Sequence, residues 1–247
     1  MTRRTVSIPM ESEVTITMDP TAPAYAPGTP TARPGGLVAR LRERTRDLHR
    51  EAERSGILRE LLHGRASRAG YALLLRNLHP VYTVMEMSIM LHAGDPGVRR
   101  IALHDLRRRD ALASDLRRLS GEGWETTLPL LPAAGMYVMQ VATRAPRLPG
   151  TLIAHAYVRY LGDLSGGQVL KRLLMKTPGL EPEALSFYEF GDDVDIEQRT
   201  ASYLAAIEAA GQDVASRIDE IVEEAAEAFR RNIALSEAVF EAVQAAG

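Results

Sequence analysis

The chain has 247 residues, 45% of them hydrophobic and 25% charged, enough for one or two domains with a sizeable core. A formal net charge of -2 gives no electrostatic footprint for nucleic acid, so no nucleic-acid partner is expected. No cysteine is present, which excludes disulfides, thiolate metal sites, iron–sulfur clusters and any cysteine nucleophile.

Residues 1–36 are rich in Thr, Pro, Ala and Gly, with prolines at 20, 23, 27, 30 and 34, and read as a disordered extension before a helical domain over 37–247. Two arginines near the start have no apolar segment behind them, and no apolar run approaches the ~20 residues of a membrane span, so the expectation is a cytoplasmic chain without one. Ala, Leu, Arg and Glu dominate the rest of the chain, which favours helices and an all-α fold.

A first helix is expected after Pro34-Gly35-Gly36 and up to Arg54, where Ser55-Gly56 stops it. Val38, Leu41, Thr45, Leu48 and Ala52 make one apolar stripe, and His49 borders it. Such a histidine is a boundary residue or a ligand. Glu53, four residues on, shares its face and can accept a proton from the non-ligating imidazole nitrogen. Further helices are expected over 57–62, over 67–92 with a kink at Pro80, over 98–119, over 133–143 and over 150–176, then over 196–210 and 213–245. Arginines crowd 99–118, a solvated face or a docking surface for an acidic redox partner. Glu60 and His63 form a single Glu-x-x-His pair, too little for a carboxylate-bridged di-iron site.

The helix over 150–176 carries an anomaly. Gly162, Ser165, Gly166 and Gly167 sit in its middle, although each interior glycine costs roughly 0.5–1 kcal/mol relative to alanine. Close packing of another helix on Gly162 and Gly166, four apart, is one explanation. A phosphate loop is excluded because no strand precedes it and the spacing fits neither nucleotide pattern. A kinked helix whose bare backbone lies against a flat ligand is the third.

The stretch Tyr157-Val-Arg-Tyr-Leu-Gly-Asp-Leu-Ser-Gly-Gly-Gln168 resembles the signature of the haem oxygenases. The segment Thr45-Arg-Asp-Leu-His49-Arg-Glu-Ala-Glu53 resembles the helix of that family which supplies its proximal histidine, and Leu185-Ser-Phe-Tyr188 resembles a short connecting segment. The likeness covers roughly residues 38–240. It implies a helical bundle with haem, both cofactor and substrate, between a proximal helix and a kinked glycine-rich distal helix. The implied reaction cleaves haem with O2 to biliverdin, CO and ferrous iron, with electrons from an external ferredoxin or flavin reductase.

The resemblance makes His49 the iron ligand and Glu53 its supporting carboxylate. Asp163 would organise distal water with Tyr82 and Arg159, while Gly162, Ser165, Gly166 and Gly167 admit the porphyrin. Thr45 and Tyr157 stand at family positions around the haem, and Phe229 and Asn232 at positions near the distal pocket. His155 is assigned a structural place. One departure is plain: where the family presents a Lys and an Arg that hold the haem propionates, this chain has Thr200 and Leu204. Arg42, about two turns before His49, becomes the expected anchor, and Arg199 a weaker one. That departure gives a second reading weight, a non-catalytic haem carrier on the same fold.

Overall fold

The computed structural model describes residues 35–191 and 193–246; the expected extension, up to residue 34, lies outside the described residues. Among these residues every regular element is helical. In chain order they are α1 (Leu37–Arg54), α2 (Gly56–Leu62), α3 (Arg68–Leu91), α4 (Pro96–Ala102), α5 (Arg109–Ser120), α6 (Trp124–Thr127), α7 (Pro132–Arg144), α8 (Thr151–Leu174), α9 (Asp193–Asp213) and α10 (Ile218–Ala246). Short 3₁₀ turns at Pro182–Ala184, Ser186–Tyr188 and Ala215–Arg217 join the last of them. No described helix is long and apolar enough to cross a membrane.

α10 is the hub. Its apolar face, with Ile221, Val222, Ala225, Phe229 and Ile233, takes α1, α2, α3, α7 and α8. α3 is covered on other sides by α5 and α7, and α4 packs on α9. Fully burying a Leu, Ile or Phe contributes about 1.5–3 kcal/mol each, so this shared face is the main energetic reason for the arrangement. α1 and α8 are both held by α9 and α10 and have no extensive packing on each other.

α1 is placed by two contacts remote in sequence. α1 has no side-chain cap of its own; the Val38 N–H donates instead to Glu208 Oε2 on α9, at 3.0 Å. At its other end Gly56 turns the chain with φ +52°, and a Cβ there would lie 2.3 Å from the Ser236 backbone. The Ser236 hydroxyl accepts from Leu58 N–H at 3.0 Å and donates to the Ser55 carbonyl at 3.1 Å. Only glycine satisfies both the left-handed conformation and this approach.

One expectation changes. The helix expected over 98–119 is two helices, because the Glu86 carboxylate of α3 accepts the N–H groups of Arg108 and Arg109 and starts α5 from outside. α3 is one helix that contains Pro80, and α8 one helix that contains its glycines, all of which keep negative φ. After α5, the one-turn α6 begins at the buried Trp124.

Candidate functional site

The glycines of α8 divide by environment. A side chain at Gly162 or Gly166 would meet no neighbouring group within 4 Å, and both residues are exposed. They are one helical turn apart, so together they bare a strip of backbone. Gly167 faces the other way: a Cβ there would lie 2.7 Å from the Tyr188 ring. It serves close packing, whereas Gly162 and Gly166 keep a surface clear. Ser165, between these faces, is half-buried.

Behind the bare strip lies a buried polar network. Tyr82, fully buried on α3, donates its hydroxyl hydrogen to Asp163 in a short contact. Arg159, one turn before Asp163, donates from Nε to the Tyr82 hydroxyl at 3.0 Å and from Nη1 to Asn232 Oδ1 at 2.5 Å, and its Nη2 is 3.4 Å from Asp163 Oδ1. Its guanidinium also stands over the Tyr82 ring. Burial pushes the Asp163 carboxyl above the usual range, opposed by the Arg159 charge and the Tyr82 hydrogen bond. Burial likewise raises the Tyr82 phenol well above its ordinary value. The network therefore fixes a carboxyl that holds a proton more firmly than an exposed aspartate, immediately beside the bare backbone.

On α1, His49 presents a half-exposed imidazole. Nδ1 is 3.6 Å from Glu53 Oε1, an ion-pair rather than a hydrogen-bond separation, and this orientation leaves Nε2 for a ligand. Phe229 of α10 meets the imidazole edge-on, ring centroids 5.9 Å apart. Phe229 and Asn232, three residues apart on α10, thus meet different partners: Phe229 the His49 ring and Asn232 the Arg159 guanidinium. Thr45 is buried, its hydroxyl donated to the Leu41 carbonyl of its own helix at 2.7 Å.

The other site candidates are scattered around these two groups. Tyr157 is buried on α8, Arg42 is half-buried on α1 and Arg199 is exposed on α9. Leu204 belongs to the core, and Thr200 donates its hydroxyl to the Ile196 carbonyl at 2.7 Å. His155 is buried with Nε2 3.1 Å from Glu224 Oε1, and Gln140 and Arg144 also donate to that carboxylate at 2.7 and 3.0 Å. Burial raises the Glu224 carboxyl, but these hydrogen bonds outweigh it and hold it at about 2. His155 is thereby committed to structure. Sequence reasoning misses Glu224, because it stands among Glu220, Glu223 and Glu227, and of these only Glu224 is buried on the α10 face. Glu60 is bound by Arg59 and Arg65, and no group of three or more His, Asp or Glu side chains among the described residues could hold a metal ion.

These features fit a flat, iron-centred macrocycle. One imidazole suffices for an axial ligand, the strip at Gly162 and Gly166 admits a plane, and α1 and α8 both pack on α10 without extensive packing on each other.

Comparison with known proteins gives the same answer. The family model described as Heme oxygenase matches residues 36–238. The chain is 35% identical over 198 residues to heme oxygenase 1 of Nostoc sp., covering 80% of this chain and 83% of that protein. It is 33% identical over 211 residues to heme oxygenase 1 of Homo sapiens, covering 84% and 73%. The structure of heme oxygenase-2 from Synechocystis sp. in complex with heme and NO superposes with a TM-score of 0.77 at 34% identity, covering 85% of this chain and 88% of that one. On the signature of α8, the fold and these matches, the chain belongs to the haem oxygenase family.

Proposed function

We propose that this protein cleaves haem with O2 and external electrons to biliverdin, carbon monoxide and ferrous iron. The observation that carries the reading is the pairing of a bare helical strip, Gly162 and Gly166, with the buried Asp163–Tyr82–Arg159 network directly behind it. Haem, when bound, supplies both the iron at which O2 is reduced and the macrocycle that is opened. His49 would ligate that iron through Nε2, with Glu53 orienting the ring by its charge and increasing the basicity of the ligand. Phe229 limits rotation of the imidazole from the side.

Asp163 holds and releases the protons that the reaction consumes, through water in the cleft. Its elevated proton affinity suits a donor, and Tyr82, Arg159 and Asn232 keep the carboxyl from turning away. Gly162 and Gly166 bring α8 close enough to exclude bulky ligands from the oxygen-binding space. Electrons come from a separate donor of the ferredoxin or flavin reductase kind.

The carrier reading rests on one specific observation: α9 offers a core leucine and a helix-bonded threonine where the propionates would need cations. A single experiment separates the two. Purified protein is given haem, then ascorbate or a reductase in air; the Soret band should give way to a bilin spectrum. A Soret band that persists through repeated reductant additions would overturn the catalytic reading in favour of the carrier.

A further inference from the structure

The distal network uses only one of a connected series of buried tyrosines. The Tyr82 ring centroid lies 6.1 Å from that of Tyr160, and Tyr160 lies 6.0 Å from Tyr203. Aromatic rings at such separations are in contact. Electron tunnelling decays exponentially with distance, so contacting rings exchange electrons far more readily than aliphatic core does. The side branch from Tyr82 begins at Phe187, a ring with no hydroxyl and a poor electron donor.

The three phenols differ in what can receive their protons. Tyr82 donates to Asp163. The Tyr160 hydroxyl is 3.3 Å from Glu86 Oε1, on α3. The Tyr203 hydroxyl is buried with no protein acceptor among the described residues. A tyrosine that loses an electron becomes a strong acid, so oxidation is easy where a carboxylate stands ready and costly where none does.

We infer that Tyr82 and Tyr160 form a one-electron relay that draws oxidising equivalents out of the site and brings them to rest on Tyr160, with Tyr203 beyond its end. The one-electron oxidant that peroxide would leave at bound haem, after its own O–O bond has been broken there, would gain one electron from Tyr82, whose phenolic proton passes to Asp163. Tyr160 then gives one electron to Tyr82 while its own proton passes to Glu86, and Tyr82 recovers its proton from Asp163. The net change in the relay is one electron from Tyr160 to that oxidant and one proton from Tyr160 to Glu86, with no heavy-atom bond of the protein made or broken. Burial raises the proton affinity of Glu86, which favours this transfer. The relay gives the exposed backbone of α8 a defence when oxidant forms without substrate turnover.

The relay presupposes the haem reading, and the test keeps the two apart. Haem-loaded protein carrying ring-deuterated tyrosine is mixed with hydrogen peroxide, freeze-quenched and measured by electron paramagnetic resonance, with haem binding followed separately by the Soret band. A tyrosyl signal narrowed by deuteration is expected. Tyr160→Phe should lose most of it, Glu86→Gln should lose it likewise, and Tyr203→Phe should leave it unchanged. Glu86→Gln carries the same test should Tyr160→Phe fail to fold. A normal Soret band without any tyrosyl signal, the full signal in both Tyr160→Phe and Glu86→Gln, or its loss in Tyr203→Phe would overturn the relay alone. Absence of haem binding would overturn the haem reading and, with it, the oxidant the relay needs.

Discussion

The two groups proposed to face haem, on α8 and on α1, differ in how firmly the protein itself holds them. On α8, Asp163 is 5% exposed and tied to Tyr82, which Arg159 also grips, while Arg159 is anchored in turn on Asn232. On α1, the His49 and Glu53 side chains are 36% and 47% exposed and stand 3.6 Å apart. Core packing fixes the α8 group. α1 is positioned as a helix, by Glu208 and Ser236, while its His49 side chain is left half-exposed. On the proposed function, precision is placed where protons would be delivered, and latitude where a coordinate bond would impose its own geometry.

The sharpest break in this comparison is His49→Ala. It should abolish normal iron ligation, and added imidazole should partly restore the Soret band and turnover, because the helix around the hole is held from outside. An unchanged Soret band would mean that another residue ligates the iron.

Asp163→Ala attacks the α8 group. Bilin yield should fall by about 100-fold, the scale of lost acid–base assistance, while haem affinity and the His49 coordination spectrum stay the same. Wild-type yield in single-turnover measurements would remove Asp163 from the reaction.

Glu224→Gln tests whether the rigidity of the α8 side comes from buried charge. It should destabilise the protein by about 2 kcal/mol, the worth of hydrogen bonds to a charged group. Glu224 is depressed from its ordinary 4.5 to about 2, so its contribution is fully present above that range and is lost as pH falls through it. Acid melting curves of wild type and variant should therefore differ most near neutrality and converge toward pH 2. Parallel curves down to that pH would show that Glu224 is not the group responsible.

A smaller pair of changes separates the glycines. Gly166→Ala should hold or raise the melting temperature, since alanine gains up to about 1 kcal/mol of helix propensity, yet weaken haem binding by filling the cleared strip. Gly167→Ala should do the reverse, lowering the melting temperature through its clash with Tyr188. Equal effects from both would erase the division drawn between them.

The smallest expected effect concerns haem orientation. Arg42→Ala should change the ratio of bilin isomers, read by chromatography, more than Arg199→Ala does. The half-buried Arg42 shares α1 with His49, whereas Arg199 is exposed on α9. One unchanged isomer from both variants would show that neither arginine orients the substrate.

Much of this site was legible because its logic is local. His49 with Glu53 is a pair four residues apart that helical periodicity places on one face, whereas Asp163 and Arg159 entered through the family resemblance of α8 and also prove to stand together one turn apart. The composition favoured helices, and their ends at Ser55-Gly56 and Pro132 are set by residues that stop or start them. What stayed hidden depends on residues far away in sequence. The break before α5 is made by Glu86, 22 and 23 positions earlier than the amides it caps, so the run 98–119 looked continuous. Gly167 could not be told from Gly162 and Gly166 without Tyr188, and Phe229 could not be assigned to the His49 side without the rotation of α10 against α1. Sequence determined which side chains share a helical face, because that is fixed by a 3.6-residue repeat. Tertiary structure decided which faces are buried, which stay bare and which carboxylate receives which proton, because those depend on neighbours that the chain brings together only on folding.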